Sequence, residues 1–163
     1  MTDILAEFSL GSPDVTAQLA ERIAPLLGPG DIIALSGPVG AGKSHFARSL
    51  ILARLADLGR IEDVPSPTFT LVQTYDANTT EIWHADLYRL SDPSEVDELG
   101  LADAFETAIC LVEWPDRLGG LLPAGSLSVC LAQGEAEDAR IVTFSGDAER
   151  WKKLRPVLAS FAG

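Results

Sequence analysis

Apolar positions along the chain change period several times, and each change marks the passage between a strand and a helix. Residues 4–10 alternate loosely and predict a short edge strand. Gly11-Ser12-Pro13 then supplies a turn, with Ser12 as N-cap and Pro13 in the first helical position. Val15, Leu19, Ile23 and Leu26 recur at helical spacing until Gly28-Pro29-Gly30 stops the helix. Residues 31–36 form an apolar run expected to be a buried strand, and a second helix is predicted over residues 44–58. Two prolines in Val64-Pro65-Ser66-Pro67-Thr68 impose an extended, irregular path, a loop laid across a site.

Residues 69–75 and 81–87 are rich in strand formers and predict a hairpin around the turn 76–80. Asp92-Pro93-Ser94-Glu95 opens an acidic helix that closes near Gly100. Residues 108–112 are continuously apolar, the pattern of a buried strand that delivers Glu113 at its carboxyl end. Residues 127–131 and 141–144 predict two more strands around the polar turn 133–138, and residues 147–161 a final helix. The expected fold is α/β: a mixed, mainly parallel central sheet with an antiparallel hairpin and flanking helices. A length of 163 residues predicts one domain over residues 1–163.

Charge narrows the possible partners. With 24 acidic against 12 basic residues, the net charge of −12 disfavours an electrostatic grip on nucleic acid or an anionic membrane. Cys110 and Cys130 sit inside apolar runs and are expected to be small buried hydrophobes. The sequence has no apolar run of membrane-spanning length and no secretory leader pattern, so a soluble, cytoplasmic protein is expected.

The chemistry concentrates at Gly37-Pro38-Val39-Gly40-Ala41-Gly42-Lys43-Ser44, which completes the G-x-x-x-x-G-K-[ST] pattern between a strand and a helix. Glycines there let successive backbone N–H groups face a polyphosphate, Lys43 reaches the β and γ oxygens, and the Ser44 hydroxyl is placed for Mg²⁺. His45 follows in the first helical turn. Lys43 is the only lysine before Lys152, whereas the nine arginines are scattered. This defines a minimal P-loop fold. Glu113 fits the acidic residue that ends a Walker B strand and holds Mg²⁺ directly or through water. Asp86 shares a strand face with His84 and Tyr88, where it either serves water and Mg²⁺ or belongs to a structural hydrogen-bond network. Thr68 offers a hydroxyl and an N–H to a γ-phosphate, or simply stabilises its turn. Trp114 either covers a nucleotide base or packs on the sheet.

Four blocks, the P-loop, Ser66-Pro67-Thr68-Phe69, His84-Ala85-Asp86-Leu87-Tyr88-Arg89 and Glu113-Trp114-Pro115, together resemble the TsaE (YjeE) family over residues 8–118. The resemblance implies an ATP-binding, Mg²⁺-dependent ATPase of bacterial tRNA N6-threonylcarbamoyladenosine (t6A) biosynthesis. It implies a cycling factor for the TsaD–TsaB transferase, with tRNA contacted only through those partners. By position it implies that Lys43 binds phosphate, Ser44 and Glu113 hold Mg²⁺ with Asp86 beside them, Asp86 serves hydrolysis, and Thr68 lies in a switch-like loop. The adenine end is implied against the first helix, with Thr16 a candidate, and the segment after Glu113. Ser44 stands where threonine is commoner, Pro38-Val39 replaces an acidic-aliphatic pair, and His45 replaces a small hydroxyl residue. The alternative is a P-loop small-molecule kinase, which needs a lid with clustered arginines that this sequence lacks. A binding module switched by nucleotide is the third reading.

Overall fold

The computed structural model describes residues 3–60, 64–65, 67, 71–78, 80–92 and 94–162. Its strands are β1 (Asp3–Leu10), β2 (Ile32–Ser36), β3 (Val72–Asp76), β4 (Glu81–Asp86), β5 (Ile109–Glu113), β6 (Leu127–Gln133) and β7 (Arg140–Gly146). They form one sheet in the order β1-β7-β6-β2-β5-β4-β3. The four central strands, β6-β2-β5-β4, are mutually parallel. Antiparallel strands close both ends, β7 and β1 beyond β6 and β3 beyond β4. The hairpin read from the sequence is β3–β4.

Helices α1 (Pro13–Ile23), α2 (Lys43–Asp57) and α5 (Arg155–Ala162) cover one face. Leu19, Phe46, Leu50 and Leu158 share a core there with Ile33, Leu35, Leu111, Val129 and Phe144. Two short helices, α3 (Glu95–Leu99) and α4 (Leu101–Thr107), cover part of the other face. Val96, Leu101 and Phe105 pack there on Ile32, Ala85, Cys110 and Val112. Cover on both faces is why β2 and β5 read as unbroken apolar runs rather than alternating ones.

The Ser12 side chain accepts from the Val15 N–H at 3.3 Å, and Pro13 opens α1, as the turn chemistry predicts. Helix α1 ends at Ile23 and tightens into a 3₁₀ turn at Ala24–Leu26, where Pro25 has no N–H to continue the ladder. The acidic helix begins at Glu95, and Asp92 caps the turn before it, its carboxylate accepting from the Ser94 N–H at 3.0 Å; Pro93 lies outside the described residues. Gly100, at φ 79°, ends α3 in the left-handed region and lets the chain turn directly into α4. The sequence reading has no element at α4. Its signal is limited to Leu101, Ala104 and Phe105 on one side of a seven-residue helix.

Two expectations need correction. The C-terminal helix does not start at residue 147: the Asp147 carboxylate caps a turn by accepting from the Glu149 and Arg150 N–H groups, both at 3.0 Å. A 3₁₀ turn at Lys152–Leu154 follows, and α5 starts at Arg155, so that Pro156 falls in a first turn where its missing N–H costs nothing. Cys110 is buried, and burial pushes its thiol up to about 12, but Cys130 is exposed. Cys130 faces away from Val129 and Leu131, and the second core draws its buried strand residues from β2, β4 and β5, with Val72 of β3 packed against them and none described from β6. Thus the β6 part of that sheet face lies outside the second core among the described residues.

Candidate nucleotide site at the carboxyl ends of the parallel strands

Parallel register sets Leu35 of β2 and Asp86 of β4 on either side of Glu113 of β5. The carboxyl ends of three neighbouring strands therefore open into one crevice, the usual ligand position of an open α/β sheet. Residues 37–42 run from β2 into α2 with Gly37, Gly40 and Gly42 at φ 140°, 84° and 104°. Gly37 is the tightest of them. A Cβ built there would lie 2.3 Å from the carbonyl oxygen of Leu131, which the β6 ladder holds in place. Gly37→Ala is expected to cost at least about 2 kcal/mol, because the left-handed backbone and the backbone clash act together. A thermal melt checks this; a variant melting with the parent would show that β6 yields.

Lys43 is the first residue of α2 and is 5% exposed. Its ammonium donates to the carbonyls of Gly37 and Pro38 and lies 3.8 Å from the centre of the Trp114 ring. Burial pushes its pKa below the ordinary lysine range, against the opposing pull of the Glu113, Asp86 and Asp116 carboxylates. Trp114 reaches this position through a left-handed backbone, φ 59° and ψ 53°, rare for a non-glycine residue. Its N–H donates to Leu35 at 3.3 Å and its ring meets Tyr88 at 5.0 Å. Strain of this kind clusters at ligand sites and is held in place by the surrounding contacts.

Beside the lysine, the Ser44 hydroxyl donates to Glu113, with Oε1 at 2.8 Å and Oε2 at 3.0 Å. The Glu113 Oε2 also accepts from His84 Nε2 at 2.7 Å. Asp86 accepts from the Tyr88 N–H at 3.1 Å, and its own N–H donates to Leu71 at 2.8 Å. Leu71 in turn donates to Pro67 at 2.9 Å, so the proline-bearing segment is tied to the backbone of Asp86. Thr68 lies outside the described residues. Burial raises the Asp86 carboxyl above the usual aspartate range, and the Glu113 carboxylate adds to the rise against the Tyr88 N–H, His84 and Lys43.

Lys43, Ser44, Asp86, Glu113 and Trp114 line a single cleft of about 550 Å³, with Val39 and Tyr88 at its margin. A smaller cavity of about 180 Å³ shares Gly40, Gly42 and His45 with it and adds Pro13, Thr16 and Arg140. Thr16 is buried, with its hydroxyl donating to Ser12 at 3.3 Å, and His45 Nε2 donates to Pro13 at 2.9 Å. The structure therefore separates Thr16 from Trp114 and places them at different cavities. Arg140 escapes the sequence reading: its guanidinium donates to Gly40 at 3.2 Å across 100 residues of chain. No local motif marks it. Alternation places Tyr88 on a face with Asp86, and its contact with Trp114 comes from the third dimension.

A strand, a glycine-rich loop and a helix that brings Lys43 and Ser44 against a strand-end carboxylate define a P-loop NTPase-type protein. A family model described as threonylcarbamoyl adenosine biosynthesis protein TsaE matches residues 10–142. The chain belongs to the TsaE family. The match continues past Leu118, where the sequence motifs stop. The tRNA threonylcarbamoyladenosine biosynthesis protein TsaE of Rickettsia conorii is 40% identical over 123 residues, 76% of this chain and 69% of that one. The Bacillus subtilis protein of the same name is 33% identical over 144 residues, 88% of this chain and 87% of that one. The crystal structure of Bacillus subtilis YdiB superposes with a TM-score of 0.77 at 28% identity, covering 98% of this chain and 97% of that one. Among the described residues, no helix is long and apolar enough to cross a membrane.

Proposed function

We propose that this chain binds ATP with Mg²⁺ and hydrolyses it to cycle the TsaD–TsaB transferase of cytoplasmic t6A biosynthesis. The observation that carries the reading is the convergence of Lys43, Ser44, Asp86 and Glu113 on one cleft beside a glycine-rich loop. Family membership supplies the pathway. The hard oxygen donors of Ser44 and Glu113, with Asp86 beside them, suit Mg²⁺. Among the described residues, no group of three or more His, Cys, Asp or Glu side chains forms a cage. This suits an ion that keeps waters and shares phosphate oxygens. Bound there, Mg²⁺ would neutralise charge on the β and γ phosphates.

The loop N–H groups and the α2 amino terminus receive the phosphates, and Lys43 leaves the Gly37 and Pro38 carbonyls for the β and γ oxygens. Asp86, whose carboxyl burial raises above the usual aspartate range, orients the attacking water and accepts its proton. The smaller cavity, with Thr16 and Arg140, receives the nucleoside end. Adenine is preferred over guanine because no lysine lies between Lys43 and Lys152 to complete an N-K-x-D element. The net charge of −12 leaves tRNA contact to the partners.

Incubation with ATP and Mg²⁺ is expected to release inorganic phosphate slowly, faster once TsaD–TsaB is added, and not at all in EDTA. Transfer of phosphate to an added small acceptor, with none released to water, would restore the kinase alternative.

A further inference from the structure

His84 is fully buried on β4, on the sheet face that packs under α2, in line with the core residue Ile82. An aliphatic side chain would suit that layer better, so the ring's polarity needs a reason. Its Nε2 lies 2.7 Å from Glu113 Oε2, and an ionised carboxylate only accepts, so Nε2 carries the proton. Its Nδ1 is buried without a hydrogen-bond partner among the described residues. Among the described residues Glu113 is then the one hydrogen-bond partner shown for this imidazole, with the Asp86 carboxylate near enough to feel its charge.

From this geometry we propose that His84 is the positioning residue for Glu113. Its Nε2–H holds Oε2 and fixes the rotation of the carboxylate, so that Oε1, which the Ser44 hydroxyl also meets, is the oxygen that would be offered to Mg²⁺. One oxygen from a fixed carboxylate matches the strict octahedral demand of Mg²⁺, whereas a freely rotating carboxylate can offer both oxygens. The inference rests on the nucleotide reading above. It extends that reading to a buried side chain that touches neither nucleotide nor metal.

The test compares His84→Leu, which removes the donor, with His84→Gln, whose amide nitrogen can reach the Nε2 position. ADP affinity is measured by calorimetry for each variant and the parent, with Mg²⁺ and again in EDTA, beside a melting curve. His84→Leu is expected to keep its metal-free ADP affinity and to lose roughly tenfold of the gain that Mg²⁺ brings, the usual scale for removing a group that orients a metal ligand. His84→Gln is expected to restore most of that gain. A Leu variant that keeps the full Mg²⁺ gain overturns the proposal, and so does a loss in both conditions that Gln does not repair, which marks a packing role. Failure of the underlying nucleotide reading looks different: the parent itself then binds no ADP.

Discussion

Lys43→Ala is expected to weaken ADP binding by about 10- to 100-fold, the worth of one charged hydrogen-bonding group at a phosphate, and to abolish ATP hydrolysis. This ammonium is buried, donates to the Gly37 and Pro38 carbonyls, rests on Trp114 and makes no ion pair among the described residues. Burial already drives its pKa down, so the charge is held in place at a cost to the fold. Arrival of a polyphosphate relieves that cost, which makes the lysine worth more to the complex than to the empty protein. Alanine should therefore leave the melting temperature of the empty protein nearly unchanged or higher. Calorimetry with ADP and a melting curve separate the two effects. A variant that binds ADP like the parent would show that Lys43 is not the phosphate ligand.

Asp86→Asn is expected to retain ADP binding within about threefold, under 1 kcal/mol, because the side chain keeps its shape. Its rate of ATP hydrolysis is expected to fall by about 10²- to 10⁴-fold through loss of the proton acceptor. The same substitution should raise the melting temperature in EDTA. A carboxyl whose folded pKa is raised above its unfolded value contributes stability below the unfolded pKa, and that contribution is lost as pH rises through the folded pKa. Ionised Asp86 thus costs stability at neutral pH, and asparagine removes the cost. The gap between variant and parent should narrow as the pH falls through the raised titration range. Undiminished hydrolysis, with or without TsaD–TsaB, would remove Asp86 from the mechanism.

Local chemistry explains what was readable in the chain. The P-loop and the strand ending at Glu113 stand out because burial on both faces erases polar alternation from β2 and β5, leaving each carboxyl end conspicuous. The β3–β4 hairpin and the cap of α1 are likewise short-range events. β6 and β7 pair locally across the turn 134–139, whereas the pairing of β1 with β7 joins segments from opposite ends of the chain, so that edge of the sheet carries no local signature. Cys130 defies its local pattern for the same reason: its run is apolar, but whether its face is covered depends on where α3 and α4 dock. Site partners separate similarly. Lys43 and Ser44 belong to a motif, whereas the His84–Glu113 bond spans 29 residues and the Arg140–Gly40 bond spans 100, distances over which no pattern speaks.

The claim that this chain cycles a transferase by ATP hydrolysis is tested most directly by following t6A formation over time. The reaction combines unmodified tRNA, the threonylcarbamoyl donor and the same organism's TsaD–TsaB pair, with ATP present and this chain added or withheld. With the chain, t6A should keep accumulating over many turnovers in step with phosphate release; without it, or with Lys43→Ala in its place, formation should stall after about one turnover per transferase. Sustained formation without the chain, or equal formation with Lys43→Ala, would contradict the account.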